Sequence, residues 1–259
     1  MEASALSAAV AVKTVSEDAK KGVFEIEGLF GGYGLTIGNA LRRVLLSSLR
    51  GAAITEFKVK HAPHEFSTLP GVKEDLVELL LNFKRLRFRM HTEEPHALIL
   101  KAKGERVVTA ADIQADAEVE CMNPEEVIAH LTSKDAELDI ELKVERGAGY
   151  SPVEARKAQG RLPIGTIAVD AIFTPVLRVN YTVENMRVGE RTDYNKLRLE
   201  IDTDGSVSPS AALQKSLDIL KVHFEKMLGL VAVQEFEAPP VEKKAEEKPA
   251  KKRKAKKEE

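Results

Sequence analysis

Three groups of residues have types and spacings that chemistry could use. The first is Gly32-x-Gly34 followed by Gly38, set between a strand-like segment and an apolar helical stripe, with Glu56 further on. A strand, a glycine turn and a helix start cradle a dinucleotide pyrophosphate when the glycines run G-x-G-x-x-G. Here the third glycine falls one residue late, so the expected role is a flexible strand-to-helix turn. The second is His61-x-x-His64-Glu65, two imidazoles and a carboxylate of the kind a zinc ion accepts. Residues three apart face opposite sides of a strand, and Pro63 interrupts any helix, so these donors are not expected to converge. The third is Glu200-x-Asp202-x-Asp204-Gly205, which opens like a calcium loop. Its twelfth position, where a bidentate Glu belongs, is Ala211. No G-x-S-x-G, no motif pairing Cys with His and no G-x-x-x-x-G-K loop occurs. These residues point to no catalytic, cofactor or metal site in the chain.

The elements that would hold them read as interleaved strands and helices. Residues 22–27 suit a strand. Thr36 is placed to cap a helix whose Ile37, Ala40, Leu41, Val44, Leu45 and Leu49 form one stripe, with Gly51 at its C-terminus. A strand over 54–60 follows, then a helix over 72–83 with Val72, Leu76, Leu79, Leu80 and Phe83 on one side, then strands over 86–90 and 98–101. Leu138, Ile140, Leu142 and Val144 alternate strictly with charged residues, which predicts a strand with one buried face and one wet. Leu177, Val179, Tyr181 and Val183 alternate likewise, as do Leu197, Leu199 and Ile201. Asp204-Gly205 makes a turn, and Ser208-Pro209 opens a long helix ending at Gly229. Its large residues Leu213, Leu217, Leu220, Phe224 and Met227 are spaced 4, 3, 4, 3, a heptad seam over two repeats. That spacing suits a core helix and a helix paired with its own copy about equally. Opposite the stripe of the first helix stand Arg43, Leu46 and Arg50, the composition of an interface anchor or of ordinary surface.

Composition bounds the rest. The chain has 259 residues, 39 Lys+Arg against 41 Asp+Glu, and a formal net charge of −2. That balance argues against a protein whose whole surface grips nucleic acid. The single Cys121 forms no internal disulfide, and no apolar run approaches the ~20 residues that cross a bilayer. The Ala/Val stretch over 8–12 is too short for a signal core and has no basic residue before it. The expectation is a reduced, cytoplasmic protein with no membrane partner. Residues 235–259 hold nine Lys/Arg and seven Glu, with no large aliphatic after Val241, and are expected to form a disordered tail. Six of the seven residues from Lys251 to Lys257 are basic, a run suited to weak nonspecific DNA contact or simply to solubility.

Longer motifs carry a resemblance. Gly34-x-Thr36-x-Gly38-Asn39-Ala40-Leu41-Arg42-Arg43-x-Leu45-Leu46-Ser47-Ser48 resembles the signature helix of the bacterial RNA polymerase alpha-subunit family. In that family's order follow His64-Glu65-Phe66-Ser67-Thr68, Gly71-Val72-x-Glu74-Asp75, Glu78-Leu79-Leu80-Leu81-Asn82-x-Lys84 and Thr109-Ala110-Ala111-Asp112-Ile113. Arg146-Gly147-x-Gly149-Tyr150, Arg161-x-Pro163-Ile164-Gly165, Thr174-Pro175-Val176 and Arg191-Thr192-Asp193-x-x-Lys196-Leu197 complete the set, which spans roughly 22–230.

The resemblance implies an α+β region of two parts. One is a dimerisation subdomain over 1–50 and 176–234; the other is a mostly-β subdomain over 51–175 inserted into it. It implies a homodimer whose interface holds Leu213, Leu217, Leu220, Phe224, Met227, Ile37 and Leu41, which favours self-pairing of the long helix. One copy would dock the β subunit through Arg43 and Leu46, and the other the β′ subunit through Lys84 and Val169. Nucleotidyl transfer and its magnesium would belong to those large subunits, with no cofactor here and DNA met only through the complex. Two departures stand out. Gly31-Gly32 replaces the charged residue usual near this loop, and the lysine-rich tail stands where most members carry a linker and a DNA-binding carboxy-terminal domain. Recognition by that domain is expected to be absent.

Overall fold

The computed structural model describes residues 10–60, 62, 64, 66–157, 163 and 165–230. The predicted tail over 235–259, His61, Glu65, Arg161 and Ile164 lie outside the described residues. The first elements in chain order are β1 (Ala11–Glu17), β2 (Lys21–Leu29), α1 (Tyr33–Ser47), β3 (Arg50–Val59), α2 (Leu76–Phe83), β4 (Phe88–Met90), β5 (His96–Lys103), β6 (Arg106–Thr109), β7 (Ile113–Gln114), β8 (Val119–Cys121) and β9 (Val127–Leu131). There follow β10 (Glu137–Ala148), β11 (Tyr150–Ser151), α3 (Val153–Lys157), β12 (Thr166–Ala168), β13 (Ala171–Ile172), β14 (Val176–Val188), β15 (Arg191–Thr203) and α4 (Pro209–Leu230).

The architecture is α+β, with two large sheets and two large, separate apolar cores among the described residues. The first sheet runs β1-β2-β15-β14, each neighbour antiparallel, and draws its strands from both ends of the described chain. Phe24, Ile26, Leu197, Leu199 and Ile201 are buried on one of its faces. They join Leu41 and Leu45 of α1 and Leu213 of α4 in one core. The second sheet runs β7-β5-β10-β3-β4-β8, with β12 also paired to β3. Leu138, Ile140, Leu142 and Val144 of β10 are fully buried, as strict alternation predicts, and share a core with Phe57, Phe83 and Phe88. The ribbon of β6 with β9 and the helix α2 belong to this side. Because β3 enters the second sheet and all pairings are antiparallel, β2, α1 and β3 do not form the parallel crossover a dinucleotide fold requires.

The chain passes between the two parts at a narrow neck. Ala53, Ala171 and Phe173 form a small core of their own there. Gly51 faces Phe173 so closely that a Cβ would stand 2.0 Å from the Phe173 carbonyl oxygen. Gly51 is therefore part of β3 and not the cap of α1, which ends at Ser47.

Other boundaries also differ from the sequence reading. α1 starts at Tyr33, three residues before Thr36, because its cap comes from another element. The helix expected over 72–83 starts at Leu76, since the Asp75 carboxylate accepts the Glu78 N–H at 2.7 Å while Val72 bridges to Leu131. Leu177 is exposed although Val179 is buried, because the register shifts between Val176 and Arg178 and turns Leu177 outward. Gly229 lies inside α4, which runs to Leu230.

Candidate functional site

The surfaces with something to offer a partner are built by α1 and α4. α1 begins where Gly32 adopts a left-handed conformation. The Asn195 side-chain oxygen, on β15, accepts the N–H groups of Gly32 at 2.8 Å and Gly34 at 3.4 Å. The glycines that imitate a phosphate cradle serve packing instead. A Cβ on Gly34 would meet Val183 at 2.7 Å, and one on Gly38 would meet Tyr181 at 2.8 Å. Their absence of side chain lets α1 press onto β14 and β15.

In α4, Ser208 accepts the Ala211 N–H at 3.3 Å, and Ala212, Leu213 and Ser216 are buried in the next turns. Every residue from 221 to 230 is then exposed, so about 15 Å of helix extends beyond the packing of the chain. Leu213 is buried within the chain's own core, and Leu220 is half-buried against the same core. Leu217, Phe224 and Met227 are 42%, 61% and 50% exposed, and Leu228 and Leu230 are more open still. On α1, Leu41 is fully buried and Ile37 half-buried. A groove of about 550 Å³ separates the two helices, lined by Leu35, Ala40, Arg43, Val44 and Leu220. Arg43 is exposed at this groove and its side chain makes no hydrogen bond or ion pair among the described residues, while Leu46 packs half-buried behind it.

Lys84 and Val169 come together on the inserted part. Lys84 follows α2 and donates to Asp170 at 3.1 Å. The Val153 N–H donates to the other Asp170 oxygen at 3.0 Å. The Val153 hydrogen bond, opposed by burial and reinforced by Lys84, holds the Asp170 carboxyl below its ordinary value. Val169 is buried; its N–H donates to the Thr55 carbonyl at 2.8 Å and its own carbonyl accepts from Arg156. Val169 is thus held by its backbone beside Asp170 and presents almost no surface itself.

The helix that carries Lys84 is tied down by a buried carboxylate. Glu74 accepts the His130 N–H at 2.7 Å and pairs with His130 Nδ1 at 2.5 Å. Burial pushes this carboxyl up, but the hydrogen bonds from His130 outweigh it and leave the group below its ordinary value. A carboxyl lowered by folding stabilises the fold above its unfolded value, about 4.3, and loses that contribution as pH falls through its folded value. Glu74→Gln is therefore expected to lower the thermal midpoint at pH 7, with the gap to wild type closing below about pH 4. Melting curves across pH check this, and a gap constant down to pH 3 would refute it.

The metal-like runs have other uses. Asp204 accepts the Ser206 N–H and hydroxyl at 2.8 and 2.6 Å, and Asp202 pairs with Arg178 at 2.8 Å, so the calcium-like run is a turn and a surface ion pair. His64 pairs with Ser67 at 3.1 Å. Among the described residues no group of three or more His, Cys, Asp or Glu could hold a metal ion. Cys121 is a half-buried free thiol that burial pushes up. No helix among the described residues is long and apolar enough to cross a membrane.

Most of the chain is also similar to known proteins. Residues 54–174 match the model of the RNA polymerase Rpb3/RpoA insert domain. The chain is 48% identical over 221 residues to a DNA-directed RNA polymerase subunit alpha of Alkaliphilus oremlandii, covering 85% of this chain and 69% of that one. It is 50% identical over 216 residues to the subunit of that name from Symbiobacterium thermophilum, covering 83% and 68%. To the one from Moorella thermoacetica it is 48% identical over 229 residues, covering 88% and 72%.

Proposed function

The chain belongs to the DNA-directed RNA polymerase alpha-subunit family, and from that premise we propose that it is a homodimeric scaffold on which the β and β′ subunits assemble. The observation that carries this reading is the uncovered end of α4, whose Leu217, Phe224, Met227, Leu228 and Leu230 stand in solvent beside the apolar groove against α1. An exposed apolar row of this extent on a soluble chain marks a protein contact. A second copy related by a two-fold axis would cover it, since each copy offers the same exposed helix. Residues 1–50 with 176–234 form the dimerising part and 51–175 the insert, a division supported by the two cores that share no residue and by the insert-domain match.

In this reading Arg43 and Leu46 meet β on one copy, and Lys84, held by Asp170, meets β′ on the other. Nucleotidyl transfer and its magnesium reside on those large subunits, and this chain contributes position alone. It acts within the polymerase, in the cytoplasm. Affinity purification of the tagged chain from its own cells is expected to recover two very large subunits with two copies of this chain; recovery of the chain alone would overturn the scaffold reading. Arg43→Ala is expected to leave the dimer intact and cut recovery of β at least several-fold, because its unpaired guanidinium lies off the seam. Undiminished β in that pull-down would remove Arg43 from the contact.

A further inference from the structure

Between the two parts lies a second cleft, of about 270 Å³, that the scaffold role does not use. Arg50, Arg89, His91, Arg146 and Lys215 all reach its lining, and no carboxylate does. They come from four separate places: the start of β3, the strand β4 and the residue after it, the end of β10, and α4. Bringing four fixed cations to one cleft costs Coulomb energy that something must offset.

Part of the compensation is visible. Arg89 is locked in place: Nε donates to the Ser206 carbonyl at 2.9 Å, Nη2 to the Gly205 carbonyl at 3.0 Å, and Nη1 to Glu120 at 3.3 Å. Arg50 and Arg146 each give one Nη1 to the two oxygens of a single carboxylate, Glu93, at 3.0 and 3.1 Å. Glu93 sits on the loop between β4 and β5 and is 62% exposed, so it is a movable counter-ion and not a buried one. The side chains of Lys215 and His91 make no hydrogen bond or ion pair among the described residues. Four permanent positive charges therefore face two carboxylates, and Arg50 and Arg146 spend one nitrogen each of their guanidinium forks.

We propose that this cleft binds a compact polyphosphate anion, a di- or triphosphate group, which takes the place of the Glu93 carboxylate between Arg50 and Arg146 and adds Lys215. Guanidinium forks match phosphate oxygens bidentately, and an ammonium supplies a point charge beside them. The volume lies just below the ~300–1,000 Å³ of sites that enclose whole drug-sized ligands, which suits a phosphate group and not a peptide segment. Arg89 and Arg146 belong to the inserted part, Arg50 stands at its boundary and Lys215 lies on α4, so an occupied cleft would fasten one part to the other.

Titration calorimetry of the full chain at fixed ionic strength, using inorganic triphosphate as the probe, tests this. Wild type is expected to bind one triphosphate per chain at this cleft, above any background from the basic tail. Glu93→Gln, which removes the internal competitor, is expected to tighten binding at least threefold. Arg146→Ala with Lys215→Ala is expected to weaken it at least tenfold. Equal affinity in all three proteins would locate the anion elsewhere and overturn the site, as would no saturable binding at all. If the double variant fails to fold by circular dichroism, the Glu93→Gln arm decides alone. Adenosine triphosphate identifies the source: equal affinity means the phosphates alone are read, tighter affinity means a nucleotide is. Uptake of duplex DNA with no uptake of triphosphate would replace the proposal with a nucleic-acid contact.

Discussion

Leu217→Glu is expected to halve the mass of the protein in solution, from two chains to one. Leu217 is 42% exposed in the protomer and lies one turn beyond the buried Leu213, so the substitution leaves the protomer's own core untouched. In a dimer sealed along α4 the same position is buried, and each large apolar side chain covered there contributes roughly 1.5–3 kcal/mol. A carboxylate forced into the seam loses that contribution and adds an unpaired charge removed from water. Phe224→Glu, further out on the bare part of the helix, is expected to act alike. Light scattering gives the mass, and circular dichroism shows whether helix content is kept. A folded variant that still weighs as two chains would exclude α4 as the dimer seam.

Gly51→Ala carries the largest expected cost in stability. Gly51 on β3 is paired directly with Gly147 on β10. Phe173 closes over both: a Cβ at Gly51 would lie 2.0 Å from its carbonyl oxygen, and one at Gly147 would lie 2.7 Å from its ring. A ring can tilt, but the Phe173 carbonyl belongs to the backbone, and its N–H is already committed to the Gly149 carbonyl at 2.9 Å. Relief at Gly51 therefore requires the neck to open. The cost is expected to reach or exceed the upper part of the ~1–3 kcal/mol usual for overpacking, with a fall in thermal midpoint on the order of 10 °C. Gly147→Ala is expected to cost less. An unchanged midpoint for Gly51→Ala would mean the neck moves freely.

What the sequence discloses depends on how local the physical cause is. β10 is legible because each buried residue has a charged neighbour on the wet face. The opening of α4 is legible because Ser208 and Pro209 act within one turn. The start of α1 is not, because Asn195 caps it from more than 160 residues away. β1 is missed since all seven of its residues are exposed and no apolar face announces a strand. The heptad spacing marks Leu217, Phe224 and Met227 together with Leu213, yet only packing against α1, β2 and β15 decides which of them stay open. Spacing sets Arg43 opposite the apolar stripe but does not separate an anchor from ordinary surface, and Lys84 has no signature in spacing at all. Lys84 stands out only through the ordered motif around it, and the structure adds what that motif omits, that Lys84 is already engaged by Asp170.

The neck has one more consequence, in polymer terms. Because the chain leaves at Gly51 and returns at Phe173 in direct contact with it, the first sheet experiences everything between them as a loop of almost no span. While residues 52–172 are folded, that loop is closed in advance, and β15 docks beside β2 without searching for its place. Were they to melt alone, the sheet would have to close a flexible loop on the order of 120 residues, an entropic cost of roughly 4 kcal/mol. The inserted part thus stabilises the sheet it interrupts without packing into its core, by keeping two ends of a long chain together.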